Sequence, residues 1–179
     1  MAIVVRQNKL QRLDTFLFYK CHAINKASIK ALSVWVSKSG DGPLYLLLGL
    51  CLYCFDGQTG KAFWWIGLAA FAIELPIYLS LKNMVKRHRP FDKLQCFSSY
   101  ISPSDRFSMP SGHTAAAFVF ATLLSRFYPE TALFAYSWAS VIGLSRVLLG
   151  VHFPGDILAG AVLGYASAWL AIDYVYPNW

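Results

Sequence analysis

The stretch AFWWIGLAAFAIELPIYLSL, Ala62 to Leu81, decides the fold class. It contains one acid, Glu74, and one helix-interrupting residue, Pro76. A helix crossing a ~30 Å hydrocarbon core needs roughly 17–25 mostly apolar residues, because no water inside the bilayer can satisfy exposed backbone groups. This run has that length and lacks basic residues altogether, which predicts a membrane-spanning helix. Glu74 reads as a buried hydrogen-bonder, its alternative being a direct role in a site.

Three later stretches have the same character: Gly112–Tyr128, Thr131–Leu149 and Ile157–Tyr176. Pro43–Phe55 is shorter, and reaches spanning length only if Ser39-Gly40-Asp41-Gly42 and Val34-Trp35-Val36 join it. Upstream, Leu13–Leu32 mixes Phe16, Leu17, Phe18 and Ile24 with Lys20, His22, Lys26 and Lys30. Each lysine at a bilayer centre costs about 2.5–3.5 kcal/mol. The segment therefore reads as one or two interfacial amphipathic helices, with a poor sixth span as the alternative. The expected fold is an all-α integral membrane bundle of five to six transmembrane helices with an N-terminal amphipathic interfacial helix. Residues 1–42 form the interfacial segment and residues 43–179 the membrane-embedded bundle.

Composition agrees. Of 179 residues, 56% are hydrophobic and 14% charged, and the mean hydropathy is +0.44. Soluble domains carry about 25% charged residues, so a soluble globule is excluded, as are disordered, collagenous and disulfide-stapled chains. Sixteen Lys and Arg against nine Asp and Glu give +7. Such an excess calls for an anionic partner: nucleic acid, acidic lipid headgroups or a phosphate substrate. Cys51 and Cys54 lie inside the apolar run Leu44–Phe55 and read as packing residues, not a redox or metal pair. Met1–Lys38 lacks the apolar core and cleavage site of a secretory signal.

The connections carry the chemistry. Asp56–Lys61 and Pro129–Glu130 turn the chain on one side of the membrane, whereas Lys82–Pro110 and Gly150–Gly155 fall on the other. Five basic residues crowd Lys82–Lys93. Charges held for a ligand do not report topology, so orientation stays open. On this polar side Lys82 and Arg89 follow one span, Pro110-Ser111-Gly112-His113 opens the next, and Ser145-Arg146 closes another. His152 and Asp156 lie just beyond. Gly112 at a helix start lets free backbone N–H groups approach an anion, and the Ser111 hydroxyl adds a donor or serves as a plain cap. A cation ~4 Å from an oxyanion is worth roughly 4 kcal/mol at an effective dielectric of 20. Any one of Lys82, Arg89 and Arg146 could simply snorkel to headgroups, but three on one face match a phosphoryl transition state with charge on several oxygens. Asp156 can orient His152 by accepting from one ring nitrogen, leaving the other to attack. With His113 opposite, the set supplies nucleophile, orienting acid and proton donor. The nine acids are scattered, with only Asp156 in the site and Asp105 nearby. No metal ligand set and no cofactor is expected.

Lys82-x6-Arg89-Pro90, Pro110-Ser111-Gly112-His113 and Ser145-Arg146-x5-His152-x3-Asp156 together resemble the type 2 phosphatidic acid phosphatase superfamily. The resemblance covers Lys82–Asp156 and is complete at each motif position. It implies that His152 attacks phosphorus to give a phosphohistidine, Asp156 orients it, and His113 protonates the leaving oxygen and then activates water. Lys82, Arg89, Ser111, Gly112 and Arg146 would bind the phosphate. The choice of His152 over His113 as nucleophile rests mainly on this resemblance and on Asp156. The implied function is hydrolysis of the terminal phosphate of a lipid phosphate or diphosphate: undecaprenyl diphosphate, phosphatidylglycerophosphate or phosphatidate. The alternative is a lipid-phosphate-binding or transport protein without turnover. The partners expected are a lipid phosphate and the bilayer, with no nucleic acid. The location implied is a bacterial inner membrane, the site facing the periplasm or exterior.

Overall fold

A computed structural model describes residues 9–24, 26–94, 97–103 and 105–175. All regular structure among them is helical: α1 (Lys9–Ala23), α2 (Ala27–Lys38), α3 (Gly42–Phe55), α4 (Gly57–Val85), the single turn α5 (Pro90–Lys93), α6 (Gly112–Phe127), α7 (Ala132–Leu148) and α8 (Pro154–Val175). Three helical stretches, 57–93, 129–148 and 154–175, are long and apolar enough to cross a membrane. The protein is an integral membrane protein.

The expected spans need three adjustments. First, α4 starts at Gly57, so the turn before it shrinks to Asp56; its 29 residues extend about 43 Å at 1.5 Å per residue. That length carries Lys82 toward the end of the hydrocarbon layer, and the helix stops at Lys86 in a left-handed conformation (φ 47°). Second, Val34–Val36 do not lengthen α3. They belong to α2, which ends at Lys38, and Ser39–Asp41 break the two helices apart. Third, α6 has only 16 residues. Helix α6 packs against α4, α7 and α8, and enclosure by other helices relieves it of covering the full depth.

The chain threads back and forth between two ends. At one, Tyr128 donates to Asp56, bringing the α3–α4 and α6–α7 turns together. At the other, His113 meets Asp41, and Arg89 meets Asp105 and Val151. Outward-facing Leu47, Leu79, Phe134, Leu158 and Val162 are exposed and form the apolar exterior that lipid covers. Cys51 and Cys54 also face outward and are free thiols, not packing residues. Helices α1 and α2 attach to the polar end. Phe18 of α1 is fully buried against Phe97 and Phe153, while Leu10 and Leu13 on the same helix are exposed. Such two-faced burial matches the amphipathic pattern of the segment.

Helices α6 and α8 approach at backbone distance, and this contact sets the site. A Cβ on Gly164 would lie 2.1 Å from the Ala115 carbonyl oxygen, and one on Gly160 2.5 Å from that of Ser111. Small residues four apart let backbones meet where lipid offers no hydrophobic drive. Gly164→Ala is expected to lower the thermal midpoint of the purified protein by several degrees, an effect of roughly 1–3 kcal/mol from overpacking. Gly42→Ala, whose Cβ meets nothing within 4 Å, should leave the midpoint in place. A thermal-shift assay in detergent checks both.

Candidate active site

At the polar end, the motif residues come from five places in the chain. Lys82 lies near the end of α4, and Arg89 precedes α5. Ser111, Gly112 and His113 start α6, Arg146 ends α7, and His152 and Asp156 flank the start of α8. Lys82, Arg89, Ser111, Arg146, His152 and Asp156 are all buried. Three cations hidden this way need partners or a ligand, since an unpaired buried charge costs several kcal/mol.

Arg89 shows how the chain meets that demand. Its guanidinium donates to the Val151 carbonyl at 2.7 Å, to the Asp105 carbonyl at 3.2 Å and to the Asp105 carboxylate at 2.6 Å. Lys82 reaches the other Asp105 oxygen at 2.6 Å and also donates to the Tyr78 hydroxyl. Tyr78 donates to the same carboxylate at 3.1 Å. One carboxylate thus gathers Lys82, Arg89 and Tyr78, the arrangement that a phosphate oxygen would meet. Burial pushes the Asp105 carboxyl up, but Lys82 and Arg89 outweigh it and hold the group below the usual carboxylate range.

The start of α6 faces the same cluster. Ser111 occupies the cap position without a side-chain capping bond. Its oxygen instead accepts from Thr114 at 3.0 Å, which leaves the Ser111 proton for an anion. Gly112 lies against the Tyr78 ring, where a Cβ would meet ring atoms at 3.1 Å. His113 Nε2 is 2.9 Å from Asp41, the residue that precedes α3 and likewise makes no side-chain cap. Arg146 donates to Ser37 of α2 at 2.5 Å.

His152 sits between opposite charges. Its Nε2 is 3.4 Å from Arg89 Nη1, and its Nδ1 is 3.6 Å from Asp156 Oδ2. The second distance is too long for a hydrogen bond, and Nδ1 is buried without one. Such contacts tighten when a ligand arrives. Burial lowers the His152 pKa from its ordinary value to about 4; Arg89 and Arg146 add to the shift and Asp156 opposes it. The ring is therefore neutral near pH 7 and keeps a lone pair on one nitrogen. Asp156 is the third residue of α8 rather than its cap, and its carboxylate reaches back to the Phe153 N–H at 2.8 Å. Its backbone carbonyl accepts from Ser111 N–H at 3.0 Å, tying the two motif segments directly.

All eight expected residues thus lie at one end: Lys82 and Arg89 meet at Asp105, His152 lies beside Asp156, the Ser111 N–H is tied to the Asp156 carbonyl, and His113 and Arg146 are held by Asp41 and Ser37. Sequence reading missed Tyr78, Arg87, Asp14, Asp41 and Ser37. Tyr78 precedes Lys82 by one helical turn and Arg87 precedes Arg89 by two residues, so proximity to a motif was the available signal. Glu74 is buried one turn before Tyr78. Among the described residues, no group of three or more His, Cys, Asp or Glu could hold a metal ion. The clustered donors are cations, hydroxyls and imidazoles, which suit an oxyanion.

Residues 62–179 match the PAP2 superfamily. The chain is 30% identical over 125 residues to the bacitracin transport permease protein BcrC of Bacillus licheniformis, covering 69% of this chain and 62% of that relative. It spans less than two thirds of that protein's length. With phosphatidylglycerophosphatase B of Bacillus subtilis (strain 168) it shares 29% identity over 183 residues, 92% of this chain and 84% of the relative. In fold it is similar to Aquifex aeolicus LpxE, with a TM-score of 0.82, 24% identity and coverage of 97% of this chain and 100% of that one. A transmembrane PAP2-type phosphatidylglycerolphosphate phosphatase from Bacillus subtilis gives a TM-score of 0.77 at 24% identity, covering 96% and 89%. Because the matched stretch carries every one of the three polar motifs, with well over half of the residues, the chain belongs to the PAP2 superfamily.

Proposed function

We propose that this member of the PAP2 superfamily is a membrane-embedded, metal-independent phosphatase that hydrolyses the terminal phosphate of a lipid phosphate or diphosphate. The observation that carries the reading is the placement of His152, with one ring nitrogen toward Arg89 and the other toward Asp156. In the first step His152 Nε2 gives its lone pair to phosphorus, the bond to the lipid oxygen breaks, and His113 donates a proton to that oxygen. Asp156 holds the Nδ1–H side of the ring. In the second step water attacks phosphorus, His113 takes its proton, and the P–N bond breaks to release phosphate and neutral His152. Lys82, Arg89, Arg146, Ser111 and the Gly112 N–H hold the equatorial oxygens throughout.

A five-helix bundle of α3, α4, α6, α7 and α8, with α1 and α2 at the interface, puts the site at headgroup depth while the tail stays in lipid. Of the expected division into an interfacial segment 1–42 and a bundle 43–179, residues 9–42 and 43–175 take these roles, and 1–8 and 176–179 lie outside the described residues. Undecaprenyl diphosphate, phosphatidylglycerophosphate and phosphatidate fit this geometry. The 92% coverage of this chain by the phosphatidylglycerophosphatase B match favours testing the second of them early. We place the protein in a bacterial inner membrane with the site facing the periplasm or exterior.

A phosphate-release panel over these lipids in detergent micelles, with excess chelator, tests the proposal. Release from at least one lipid, unchanged by chelator and competitively inhibited by vanadate, is the expected result. No release from any of them would contradict catalysis and favour a binding protein, for which the His152–Asp156 pair has no use.

A further inference from the structure

We propose that Arg87 and Asp14 are positioning residues for the catalytic pair, so that helix α1 completes the active site from outside the PAP2-matched stretch. The inference rests on the phosphatase reading above. Asp156 is fully buried, and its two oxygens have separate tasks. Oδ2 accepts from Phe153 N–H and faces His152, while Oδ1 accepts from Arg87 Nη1 at 2.8 Å. The two bonds pin the carboxylate plane; losing Arg87 would leave Oδ1 buried without a partner and free the group to turn. A carboxylate buried without a cation also tends to take up a proton, and a protonated acid could no longer hold the imidazole by accepting from it.

Arg87 is itself held on three sides. Its other terminal nitrogen donates to Asp14 Oδ2 of α1, its guanidinium lies 4.4 Å from the Phe153 ring centroid, and its carbonyl accepts from Ser108 N–H at 2.8 Å. Asp14 Oδ1 in turn accepts from Gly155 N–H at 2.7 Å. A Cβ on Gly155 would sit 2.9 Å from Asp14 Oδ2, so glycine there permits the approach. The run Asp14–Arg87–Asp156–His152 therefore crosses from α1 through the basic loop to the nucleophile. The cavity of about 800 Å³ beside α1 includes Asp14, Arg87 and Gly155 in its walls and none of the eight motif residues. Arg87 thus borders the back of the catalytic pair and is no part of the phosphate cradle.

Turnover and ring titration separate positioning from mere support of the fold. The charged groups facing His152 are Asp156 of α8, Arg89 of the loop and Arg146 of α7; Arg87 acts through Asp156. Removing its positive charge makes the pair bind its first proton at higher pH. Arg87→Gln should lower kcat about 100-fold with KM within about twofold, and should move the acid limb of kcat/KM upward by roughly half to one pH unit. Asp14→Asn should cost about tenfold in kcat and Arg87→Lys should recover part of the loss. Because the two residues act as one unit, the double variant should be no slower than Arg87→Gln alone. His152 ring titration by NMR, which needs no turnover, should show the same upward movement. Wild-type kcat and titration in Asp14→Asn and Arg87→Gln would overturn the inference, as would losses confined to KM or multiplying in the double variant. Should Arg87→Gln fail to fold, Asp14→Asn and Arg87→Lys carry the test with the same criteria. If the wild-type protein released no phosphate, the proposed function would fail, and the ring titration would still decide the fate of the clasp.

Discussion

His152→Ala is expected to lower phosphate release from a lipid phosphate at least about a thousandfold, because in the proposed mechanism it removes the atom that forms the covalent bond. The magnitude follows from what the rest of the site can do alone. Lys82, Arg89, Arg146 and the α6 start still bind the phosphate, so substrate affinity should change little while kcat collapses. A residual rate above water remains, since a cradle without its nucleophile keeps its electrostatic stabilisation. His152→Ala is also gentle on the fold. The ring lies between charged groups, one at 3.4 Å and the other at 3.6 Å, and makes no bond that holds a helix in place. Phosphate release over a range of lipid concentrations checks the prediction. A rise in KM with kcat unchanged would assign His152 to the cradle instead.

The pH dependence follows from the same residue. The attacking form in the proposed mechanism is neutral His152, and burial holds its pKa down to about 4. A lowered pKa keeps the proton off as the medium is acidified, so nucleophile protonation should limit the reaction only well below neutrality. An acid limb near the ordinary histidine value would then report the substrate phosphate.

The second large effect belongs to His113 and depends on the leaving group. An alkoxide leaves poorly without a proton, whereas an aryl oxide with an electron-withdrawing substituent leaves unaided. His113→Ala should therefore lower the first step about a hundredfold to a thousandfold with a lipid phosphate, and less than about tenfold with nitrophenyl phosphate. The proposed second step uses His113 as a base whichever group has left. With nitrophenyl phosphate the variant should release about one equivalent of nitrophenolate per enzyme in a burst and then turn over slowly. Rapid-mixing absorbance measurements show burst and steady phases separately. Equal losses for both substrates and no burst would remove His113 from the proton-transfer role. Asp41, 2.9 Å from its Nε2, would then be the reason to treat the histidine as a link between α3 and α6.

Much of this arrangement was legible before any coordinates, and the boundary has a physical cause. Apolar runs such as Ala62–Leu81 announce helices because lipid forces every backbone group to bond within its own segment. Length misled where tertiary enclosure replaced lipid: α6 has 16 residues and is surrounded by α4, α7 and α8. Charge misled in the same way along Lys82–Lys93, where Lys82 and Arg89 stood out by their spacing while Arg87, which faces Asp156, read as one more basic residue. The motif residues were recoverable because each lies at a helix end, so tracing the spans brings them to one depth. The residues that hold them were not. Asp14 and Arg87 are 73 positions apart, Asp41 and His113 72, and Ser37 and Arg146 109, and no local periodicity reports such pairs. One clue was present: Asp14 and Asp41 are the sole acids ahead of Asp56, in a stretch otherwise rich in lysine and arginine.

The covalent intermediate is the most direct point of attack. Protein mixed with ³²P-labelled lipid phosphate, quenched in alkali within milliseconds and digested, should carry label on the peptide containing His152. That label should survive base, be lost in acid, and be missing from His152→Ala. Label on another residue, or label retained by His152→Ala, would contradict the account. So would single-turnover release of phosphate with no labelled protein at any quench time.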